Sequence, residues 1–397
     1  MVRDLAGESR HGIHRAGWGN VPSRLRHAGG SGVADASGED RFLYMRHLSR
    51  THRAPRRTIC ACLVVAGVWL SGCRSNSPLA GTSSAVGTPS SVELAASPSP
   101  LIIAHRGASG HRPEHTLEAY ALAIAMGADY IEPDLVSTKD GVLVARHENE
   151  IGGTTDVAQK FPERRTRKVI DGDTMSGWFT EDFTLAELRT VRAKERLAFR
   201  SHAYDGQFAV PTFEDVLALA DSAGRRRGRV VGVYPEIKHP SYFASIGLAL
   251  EPKLLTALRA RGLDRRDAAV FIQSFEAAPL RALRPQTRVR LVMLLSDRAQ
   301  GTVAALREIA QYADAVGVNS RMIIGADTAA TPTTLVRDAH AAGLKVHVWT
   351  LRSEPSFLAA RYRGDPLAEV REFARLGVDG MFGDFPDVLV QGLGRGR

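Results

Sequence analysis

Short apolar runs alternate with helix-length amphipathic segments from residue 101 onward, and this order constrains the fold more than any other feature. Such alternation is typical of a parallel α/β sheet, and eight units favour a closed (β/α)8 TIM barrel. The alternative, a doubly wound sheet, calls for a G-x-G-x-x-G turn after the first strand. HRGASG at 105–110 does not match that turn. The predicted strands span 101–104, 129–135, 229–234, 268–272, 288–294, 313–318, 345–349 and 378–382.

A stretch with little periodicity separates the second predicted strand from its helix. Residues 149–210 contain a Gly-Gly pair and a charged run, and we predict an insertion there, within a barrel domain that spans 101–392. Trp178, Phe179 and Phe183 indicate that the insertion packs apolar side chains of its own, rather than forming a loose surface loop.

The chain before residue 101 has the organisation of an export signal followed by a tether. Residues 1–44 lack periodicity, and we interpret them as disordered or as an overlong start. Residues 45–72 join a basic start to an apolar run, which is typical of a secretory signal peptide and too short to cross a membrane. Residues 73–100 are rich in serine, alanine and proline, which predicts a flexible tether.

The predicted signal ends in LSGC at 70–73, which resembles the cleavage box of bacterial lipoproteins. That likeness implies cleavage before Cys73 and a lipid on its sulfur, hence an exported lipoprotein anchored to a membrane in the periplasm or on the cell surface. Cys60 and Cys62, the other two cysteines, fall within the signal. The predicted mature domain therefore has neither a disulfide nor a cysteine metal site.

The net charge of +9 is unevenly distributed, and this argues against nucleic acid as a partner. Residues 1–72 hold eleven arginines and no lysine against five acids, so they account for six of the nine positive charges. The rest of the chain is nearly balanced, whereas nucleic-acid binding draws on a clustered basic surplus.

Polar residues follow the predicted strands at the end where barrel enzymes place their active sites. Acids two residues apart on an extended segment point to the same side, so the E-x-D pair at 132–134 repels itself unless a cation lies between the carboxylates. A turn at 137–141 and a return strand then deliver His147. The strand-end residues are His105, Arg106, Glu132, Asp134, Glu236, Lys238, Gln273, Asn319, Trp349 and Asp384.

Several short motifs occur in a fixed order in this part of the chain. They are HRG at 105–107, PEHT at 113–116, the E-x-D pair, TKDG at 138–141, His147, YPEIK at 234–238, VHVWTLRS at 346–353 and GMFGDFPD at 380–387. Together they resemble the glycerophosphodiester phosphodiesterases, most closely the bacterial periplasmic calcium-dependent type. The resemblance implies hydrolysis of a glycerophosphodiester to sn-glycerol 3-phosphate and an alcohol, and an insertion that helps to cover the active site.

Cleavage of a phosphodiester calls for a cation on the phosphoryl oxygens, a base and an acid. Glu132, Asp134 and Glu236 suit one hard divalent cation, Ca²⁺ or Mg²⁺, and histidine-ligated zinc stays open. The resemblance to the calcium-dependent type implies Ca²⁺ ahead of Mg²⁺. His105 and His147 are the predicted acid and base, without an assignment of which is which.

The remaining candidates would support substrate or metal. Arg106 suits a bidentate grip on the phosphate, and Lys238 is either a second phosphate contact or a salt-bridge partner. Glu114 and His115 are predicted to orient His105 or the metal-binding acids. Trp349 packs either against the glycerol carbons of the substrate or into the core.

Two other functions compete with this one. A lysophospholipase D or sphingomyelinase D on the same barrel would need an apolar slot for an acyl chain. A non-catalytic surface lipoprotein that binds glycerophosphodiesters would be expected to lose a catalytic position. Both histidines, the arginine and the three acids are present, which favours an enzyme.

Overall fold

The computed structural model of the protein describes residues 99–395. The predicted segments 1–44 and 45–72, Cys73 and nearly all of 73–100 lie outside the described residues. Within 99–395, no helix is both long and apolar enough to cross a bilayer. The strands of this part are β1 Leu101–His105, β2 Tyr130–Glu132, β3 Asp134–Ser137, β4 Leu143–Ala145, β5 Thr166–Ile170, β6 Asp173–Gly177, β7 Gly232–Val233, β8 Glu236–Ile237, β9 Phe271–Ser274, β10 Arg290–Leu295, β11 Ala315–Asn319, β12 Lys345–Leu351 and β13 Gly380–Gly383.

Parallel pairing closes ten of these strands into a ring, whereas β4 pairs antiparallel with β3, and β5 and β6 form a separate sheet. β1 pairs with β13 on one side and with β2 on the other. From β8, parallel pairs run through β9, β10, β11 and β12 back to β13. β2 and β3 are halves of the second strand position, β7 and β8 are halves of the third, and they pair as β2–β7 and β3–β8. The fold is therefore the predicted (β/α)8 TIM barrel.

Two strands predicted as continuous, 129–135 and 229–234, are split or shifted. Pro133 separates β2 from β3, and Pro235 lies between β7 and β8. Proline has no N–H to donate to the ladder, so each strand is interrupted where proline occurs. The Glu236 N–H still donates to the Pro133 carbonyl at 2.9 Å, which keeps the two interrupted strands in register.

Helices follow the strands and cover the barrel. They are α1 Leu117–Met126, α2 Val157–Lys160, α3 Leu185–Leu188, α4 Phe213–Arg227, α5 Pro240–Ser245, α6 Glu251–Ala260, α7 Ala277–Leu283, α8 Val303–Ile309, α9 Ser320–Ile323, α10 Leu335–Ala341, α11 Pro366–Arg375 and α12 Pro386–Gly392. Thr116 caps α1, which ends at Gly127 in the left-handed conformation. A capping box at Thr212 begins α4, and Gly228 in the left-handed conformation ends it.

The insertion carries regular structure that the sequence does not predict. β5 and β6 form an antiparallel hairpin, and the short helices α2 and α3 lie on either side of it in the chain. Phe179 and Phe183 are fully buried. The hairpin escapes prediction because its strands consist largely of polar residues and therefore show no apolar period of two.

The core has two layers. A large apolar cluster lies between the strands and the helices, and a smaller one fills the barrel interior. The interior cluster also surrounds His347, whose Nδ1 lies 2.7 Å from the Tyr234 hydroxyl. This packing fills the interior below the mouth formed by the carboxyl ends of the strands. The members of the interior cluster are Ile103, Tyr130, Tyr234, Phe271, Val292, Ala315 and Phe382.

Candidate active site

The three acids predicted to bind a metal converge at the mouth of the barrel. Glu132 ends β2, Asp134 begins β3 and Glu236 begins β8. One carboxylate oxygen from each lies within 4.8 Å of the others, and all three side chains are buried. Burial and repulsion between the acids raise the pKa of Glu132 well above its usual value and that of Glu236 to about 8.

The donor set suits a hard cation. Burial raises the pKa of Asp134, but the hydrogen bond to His115 Nε2 at 2.9 Å outweighs it and holds that pKa well below its usual value. Within the described residues, the buried Oδ1 of Asp134 has no hydrogen-bond partner. Gln273 Nε2 donates to Glu132 at 3.0 Å. An ionised acid with an open oxygen, beside two further acids, fits Ca²⁺ or Mg²⁺.

His105 ends β1 and is held through one ring nitrogen. Its Nδ1 lies 2.6 Å from Asp384 Oδ1, while Arg200 and Arg352 contact Asp384 Oδ2 at 2.6 and 3.1 Å. Burial and the charge of Arg106 lower the pKa of His105 to about 4, so this imidazole is neutral at pH 7. Because Asp384 occupies Nδ1, Nε2 is left for chemistry.

His147 follows β4 and is held in a similar way. Its Nδ1 lies 2.9 Å from Glu148 Oε1, and its Nε2 lies 3.3 Å from Lys238 Nζ. Burial and the charges of Arg106 and Lys238 lower the pKa of His147 to about 4. Lys238 stays protonated because Glu236, Asp134 and Glu148 together raise its pKa despite burial, so the ammonium donates to the unprotonated Nε2.

The two cations predicted to bind phosphate line the mouth and also pair with acids. Arg106 Nη1 donates to Glu114 Oε2 at 2.9 Å, and its Nε lies 3.6 Å from Asp134 Oδ2. Lys238 Nζ lies 3.0 Å from Glu236 Oε1. Lys238 therefore forms the salt bridge and also faces the cavity, so the two alternatives for this residue are compatible.

Glu114 and His115 lie beside the site, but they contact different groups. Glu114 accepts hydrogen bonds from Arg106 and from Arg196 Nε of the insertion, at 2.9 and 3.2 Å. His115 binds Asp134 and no other member of the acid cluster among the described contacts. The first residue thus fixes a predicted phosphate-binding arginine, and the second fixes one predicted metal ligand.

The residues predicted to act on metal, phosphate and protons line one cavity of about 780 Å³, except Asp134. Glu114 also lines it, whereas His115, Asp384 and Arg200 do not. Trp349 lines it as well, and its ring packs edge to face against Phe275 with centroids 5.7 Å apart. It is therefore placed both to contact a substrate and to pack against a neighbour. The barrel wall also contributes Gln273, Asn319, Arg321 and Arg352, and the insertion contributes Arg196 and Asp171.

Sequence reasoning assigned no role to several residues that hold the histidines. Glu148 directly follows His147, and His239 directly follows the YPEIK motif, so adjacency to predicted site residues was an available signal. Asp384 stands at a predicted strand end. Arg200 lies in the aperiodic insertion, where the sequence offers no signal for its contact with the site.

The geometry of the mouth selects a substrate class. Clustered carboxylates suit a divalent cation, neutral imidazoles suit proton transfer, and buried arginine and lysine suit an anionic group. An ester of phosphoric acid is anionic, can bind a divalent cation and is cleaved with proton transfer. The fold and site together therefore define a phosphoric ester hydrolase.

The chain belongs to the glycerophosphoryl diester phosphodiesterase family, whose sequence profile matches residues 105–388. The glycerophosphodiester phosphodiesterase GDPD6 of Arabidopsis thaliana is 36% identical over 319 residues, covering 73% of this chain and 85% of the relative. A glycerophosphodiester phosphodiesterase of Haemophilus influenzae is 31% identical over 379 residues, covering 84% and 98%. The prediction of a phosphoric diester hydrolase of this family is confirmed.

Solved structures show the same fold. A glycerophosphodiester phosphodiesterase from Agrobacterium tumefaciens matches with a TM-score of 0.50 at 22% identity, over 74% of this chain and 99% of that one. A phosphodiesterase from Oleispira antarctica, solved in complex with the product sn-glycerol-3-phosphate, matches with a TM-score of 0.53 at 20% identity, over 75% and 97%.

Proposed function

We propose that this enzyme hydrolyses glycerophosphodiesters to sn-glycerol 3-phosphate and an alcohol with the aid of one divalent cation. The observation that carries the proposal is the convergence of Glu132, Asp134 and Glu236 within 4.8 Å. Their carboxylates would hold the ion, which when bound would polarise the phosphoryl oxygens and offset the charge of the diester. Ca²⁺ is favoured over Mg²⁺ because it accepts irregular oxygen ligation.

We assign the proton transfers to Nε2 of His105 and His147. One imidazole removes the proton of the attacking hydroxyl, and the other gives a proton to the oxygen that departs with the alcohol. A bound diester anion raises the pKa of both, which favours the protonated form of the acid. Arg106 and Lys238 stabilise charge on the phosphoryl oxygens.

The attacking oxygen is assigned to the neighbouring hydroxyl of the glycerol. A P–O bond to this hydroxyl forms while the P–O bond to the alcohol breaks, which gives a cyclic phosphate. Water then opens the ring to sn-glycerol 3-phosphate. The product bound to the Oleispira antarctica phosphodiesterase is this same compound, and it supports the choice of substrate class. Diesters that lack the neighbouring hydroxyl should be poor substrates.

The test measures glycerol 3-phosphate release from glycerophosphocholine with Ca²⁺, with Mg²⁺ and after chelation. We expect chelation to abolish release and Ca²⁺ to restore it. His105→Ala and His147→Ala should each slow release about 10²- to 10⁴-fold. His340→Ala, on α10 and paired with Asp379, is the control and should keep full activity. Undiminished release by the chelated enzyme would contradict the metal, and undiminished release by either histidine variant would contradict the proton-transfer assignment.

The same assay separates the competing substrates. Lysophosphatidylcholine and sphingomyelin replace glycerophosphocholine, and release of choline is measured for all three. We expect the water-soluble diester to be cleaved fastest. Faster cleavage of either lipid would assign the enzyme to the lysophospholipase D or sphingomyelinase D alternative.

We also propose that Cys73 is the lipid-bearing first residue of a mature protein held at a membrane outside the cytoplasm. The LSGC sequence at 70–73 supports this proposal. Mass spectrometry of the exported protein should find an acylated N-terminal Cys73. Cys73→Ser should release the enzyme from the membrane fraction with unchanged specific activity. A mature protein without acyl chains would contradict the anchor.

A further inference from the structure

We propose that the insertion positions both histidines for catalysis, with Asp171 and Arg200 as the positioning residues. Each ends a chain of hydrogen bonds that begins at Nδ1 of one histidine. The inference rests on the proposed acid and base roles of His105 and His147, and it assigns a function in the reaction to a segment that otherwise looks like a cover over the cavity.

The first chain runs from His147 to the tip of the insertion hairpin. His147 Nδ1 lies 2.9 Å from Glu148 Oε1, and Glu148 Oε2 lies 2.7 Å from His239 Nε2. His239 Nδ1 then lies 2.5 Å from Asp171 Oδ2. The His239 side chain is only 10% exposed. Both oxygens of Glu148 and both ring nitrogens of His239 are therefore engaged along this chain.

The backbone at the hairpin tip is shaped for this contact. Asp171 has a φ of 52° and Gly172 a φ of 91°, both left-handed. Aspartate tolerates that region better than most residues, and glycine adopts it freely. His239, the partner of Asp171, also has a positive φ of 46°. Two non-glycine residues in this uncommon conformation thus meet at one hydrogen bond.

The second chain runs from His105 to the C-terminal part of the insertion. His105 Nδ1 lies 2.6 Å from Asp384 Oδ1, and Arg200 Nη2 donates to Asp384 Oδ2 at 2.6 Å. Arg200 also donates through Nε to Glu354 at 2.6 Å and through Nη1 to the Ser109 carbonyl at 3.1 Å. Its side chain is 6% exposed, so this arginine is fixed at three points.

The two chains impose the same chemical constraint. A carboxylate on Nδ1 keeps the proton there and leaves Nε2 unprotonated. At His147 this Nε2 accepts from Lys238, a residue that lines the cavity. A carboxylate whose second oxygen is also bound cannot easily rotate away, so the ring keeps one orientation. Loss of Asp171 loosens His239 and, through it, Glu148. Loss of Arg200 leaves Asp384 Oδ2 held by Arg352. Neither Asp171 nor Arg200 is among the groups assigned to the metal, the phosphate or proton transfer. Turnover should then fall while substrate binding is preserved.

The experiment measures kcat and KM for glycerophosphocholine at saturating Ca²⁺, with melting temperature in parallel. Asp171→Asn, His239→Gln and Arg200→Gln should each lower kcat about 10- to 100-fold, with KM changed less than about twofold. Arg200→Lys keeps the charge and should recover part of the loss, and it also serves if Arg200→Gln does not fold.

Two controls match these changes within the insertion. Asp205→Asn changes a partly exposed aspartate–histidine pair, Asp205 with His202 at 2.9 Å, that does not line the cavity. The asparagine Oδ1 can still accept the hydrogen bond from the Glu195 N–H. Arg167→Gln removes an exposed arginine from β5. Both should keep the kcat of the unchanged enzyme. A loss of kcat in the controls equal to that in the test variants would overturn the inference, because any damage to the insertion would then suffice.

Double variants test whether the chains exist as units. Asp171→Asn combined with His239→Gln should lower kcat no further than the worse single variant, because both break one chain. Asp171→Asn combined with Arg200→Gln should multiply the two losses, because the two chains of hydrogen bonds begin at different histidines. Equal multiplication in both pairs would overturn the inference.

The outcomes also separate this inference from the proposed function. If the test variants melt earlier but keep kcat, the insertion is only a structural brace and the inference fails, although His105→Ala and His147→Ala remain slow. If His105→Ala and His147→Ala keep full kcat, the proton-transfer assignment fails first and the inference fails with it.

Discussion

Neighbouring groups, more than residue type, decide the charge of each acid in the cluster. Asp134 and Glu236 are both buried, yet the pKa of Asp134 lies well below its usual value and that of Glu236 lies near 8. Asp134 accepts a hydrogen bond from His115. Glu236 is raised by burial and by Asp134, and the salt bridge to Lys238 only partly offsets the rise. Without a cation, Glu236 therefore carries a proton at neutral pH.

Metal binding should displace this proton, which gives a testable pH dependence. Ca²⁺ affinity should rise from pH 6 to pH 9, because Glu236 with a pKa of about 8 loses its proton over that range. Calorimetry in two buffers of different ionisation enthalpy measures the protons released. Glu236→Gln should bind Ca²⁺ more weakly and release fewer protons. An affinity independent of pH would contradict this account of the cluster.

His239 predicts a second pH effect, this time on folding. Burial lowers its pKa, but hydrogen bonds to Asp171 and Glu148 outweigh burial and raise it to about 9. A raised histidine pKa contributes stability that is complete below the unfolded value of about 6.5 and is lost as pH rises through 9.

The free energy of unfolding should therefore fall between pH 6.5 and pH 9, by up to about 3 kcal/mol from His239 alone. Urea unfolding across this range, compared with His239→Gln, isolates the contribution, because other groups titrate equally in both proteins. Parallel pH profiles for the two proteins would contradict it.

Residue types and spacing were sufficient to place the acids and histidines at one mouth, because strand ends in a barrel converge. Their contacts were not predictable in the same way. Glu114 pairs with Arg106 and Arg196 rather than His105, since that choice depends on side-chain directions in three dimensions. The contact between Arg200 and Asp384 joins residues 184 positions apart, and no local pattern encodes it.

At the scale of elements, proline breaks coincide with the predicted metal ligands. Pro133 stands between Glu132 and Asp134, and Pro235 directly precedes Glu236. The alternation in the sequence predicted one strand that runs through Pro133 and another that stops before Pro235, because an apolar pattern does not show where a proline interrupts the hydrogen-bond ladder. The insertion hairpin was missed for a different reason, since its strands lack an apolar face. Strand prediction thus failed where backbone hydrogen bonding, rather than hydrophobicity, decided the outcome.

The turn after β1 provides a prediction for a single element. Gly107 has a φ of 90°, and a Cβ there would lie 2.8 Å from the backbone carbon of Ala119 in α1. Gly107→Ala should cost roughly 1–3 kcal/mol of stability and lower activity, because His105 and Arg106 precede this turn. Thermal unfolding and the glycerol 3-phosphate assay measure both effects.

Gly377→Ala is the matched control, with a φ of 82° and no atom within 4 Å of the added Cβ. It carries the conformational cost without the contact and lies after α11, so it should keep activity. If Gly107→Ala behaved like this control, the close approach to α1 would have no consequence for the site.

At the scale of the molecule, ring closure brings together groups from His105 to Asp384, nearly the full length of the described chain. The order of strands and helices predicted this closure, because parallel strands joined by helices can bury both faces of a sheet in few ways. Closure of the ring also buries the acids Glu132, Asp134 and Glu236 close together, which is unfavourable without a cation. A cation that binds only the folded barrel should therefore stabilise the whole molecule.

The stabilisation by the cation can be calculated, because binding to the folded state alone adds to the free energy of unfolding. At a Ca²⁺ concentration 100 times the Kd, binding adds about 2.7 kcal/mol, which corresponds to a rise in melting temperature of roughly 4 °C for a domain of this size. Glu132→Gln should abolish the rise. Burial and the neighbouring acids raise the pKa of Glu132 well above its usual value, which favours the neutral form, so the neutral amide should not destabilise the metal-free fold.

The raised pKa of Glu132 also predicts the direction in which Glu132→Gln changes the melting temperature of the metal-free protein. A carboxyl whose folded pKa lies above its unfolded value opposes folding once pH exceeds the unfolded value. Metal-free Glu132→Gln should consequently melt at or above the temperature of the unchanged protein, while losing the response to Ca²⁺. Glu214→Gln, an exposed acid on α4, should keep that response. A normal Ca²⁺ response in Glu132→Gln would mean that the stabilising ion binds elsewhere on the barrel.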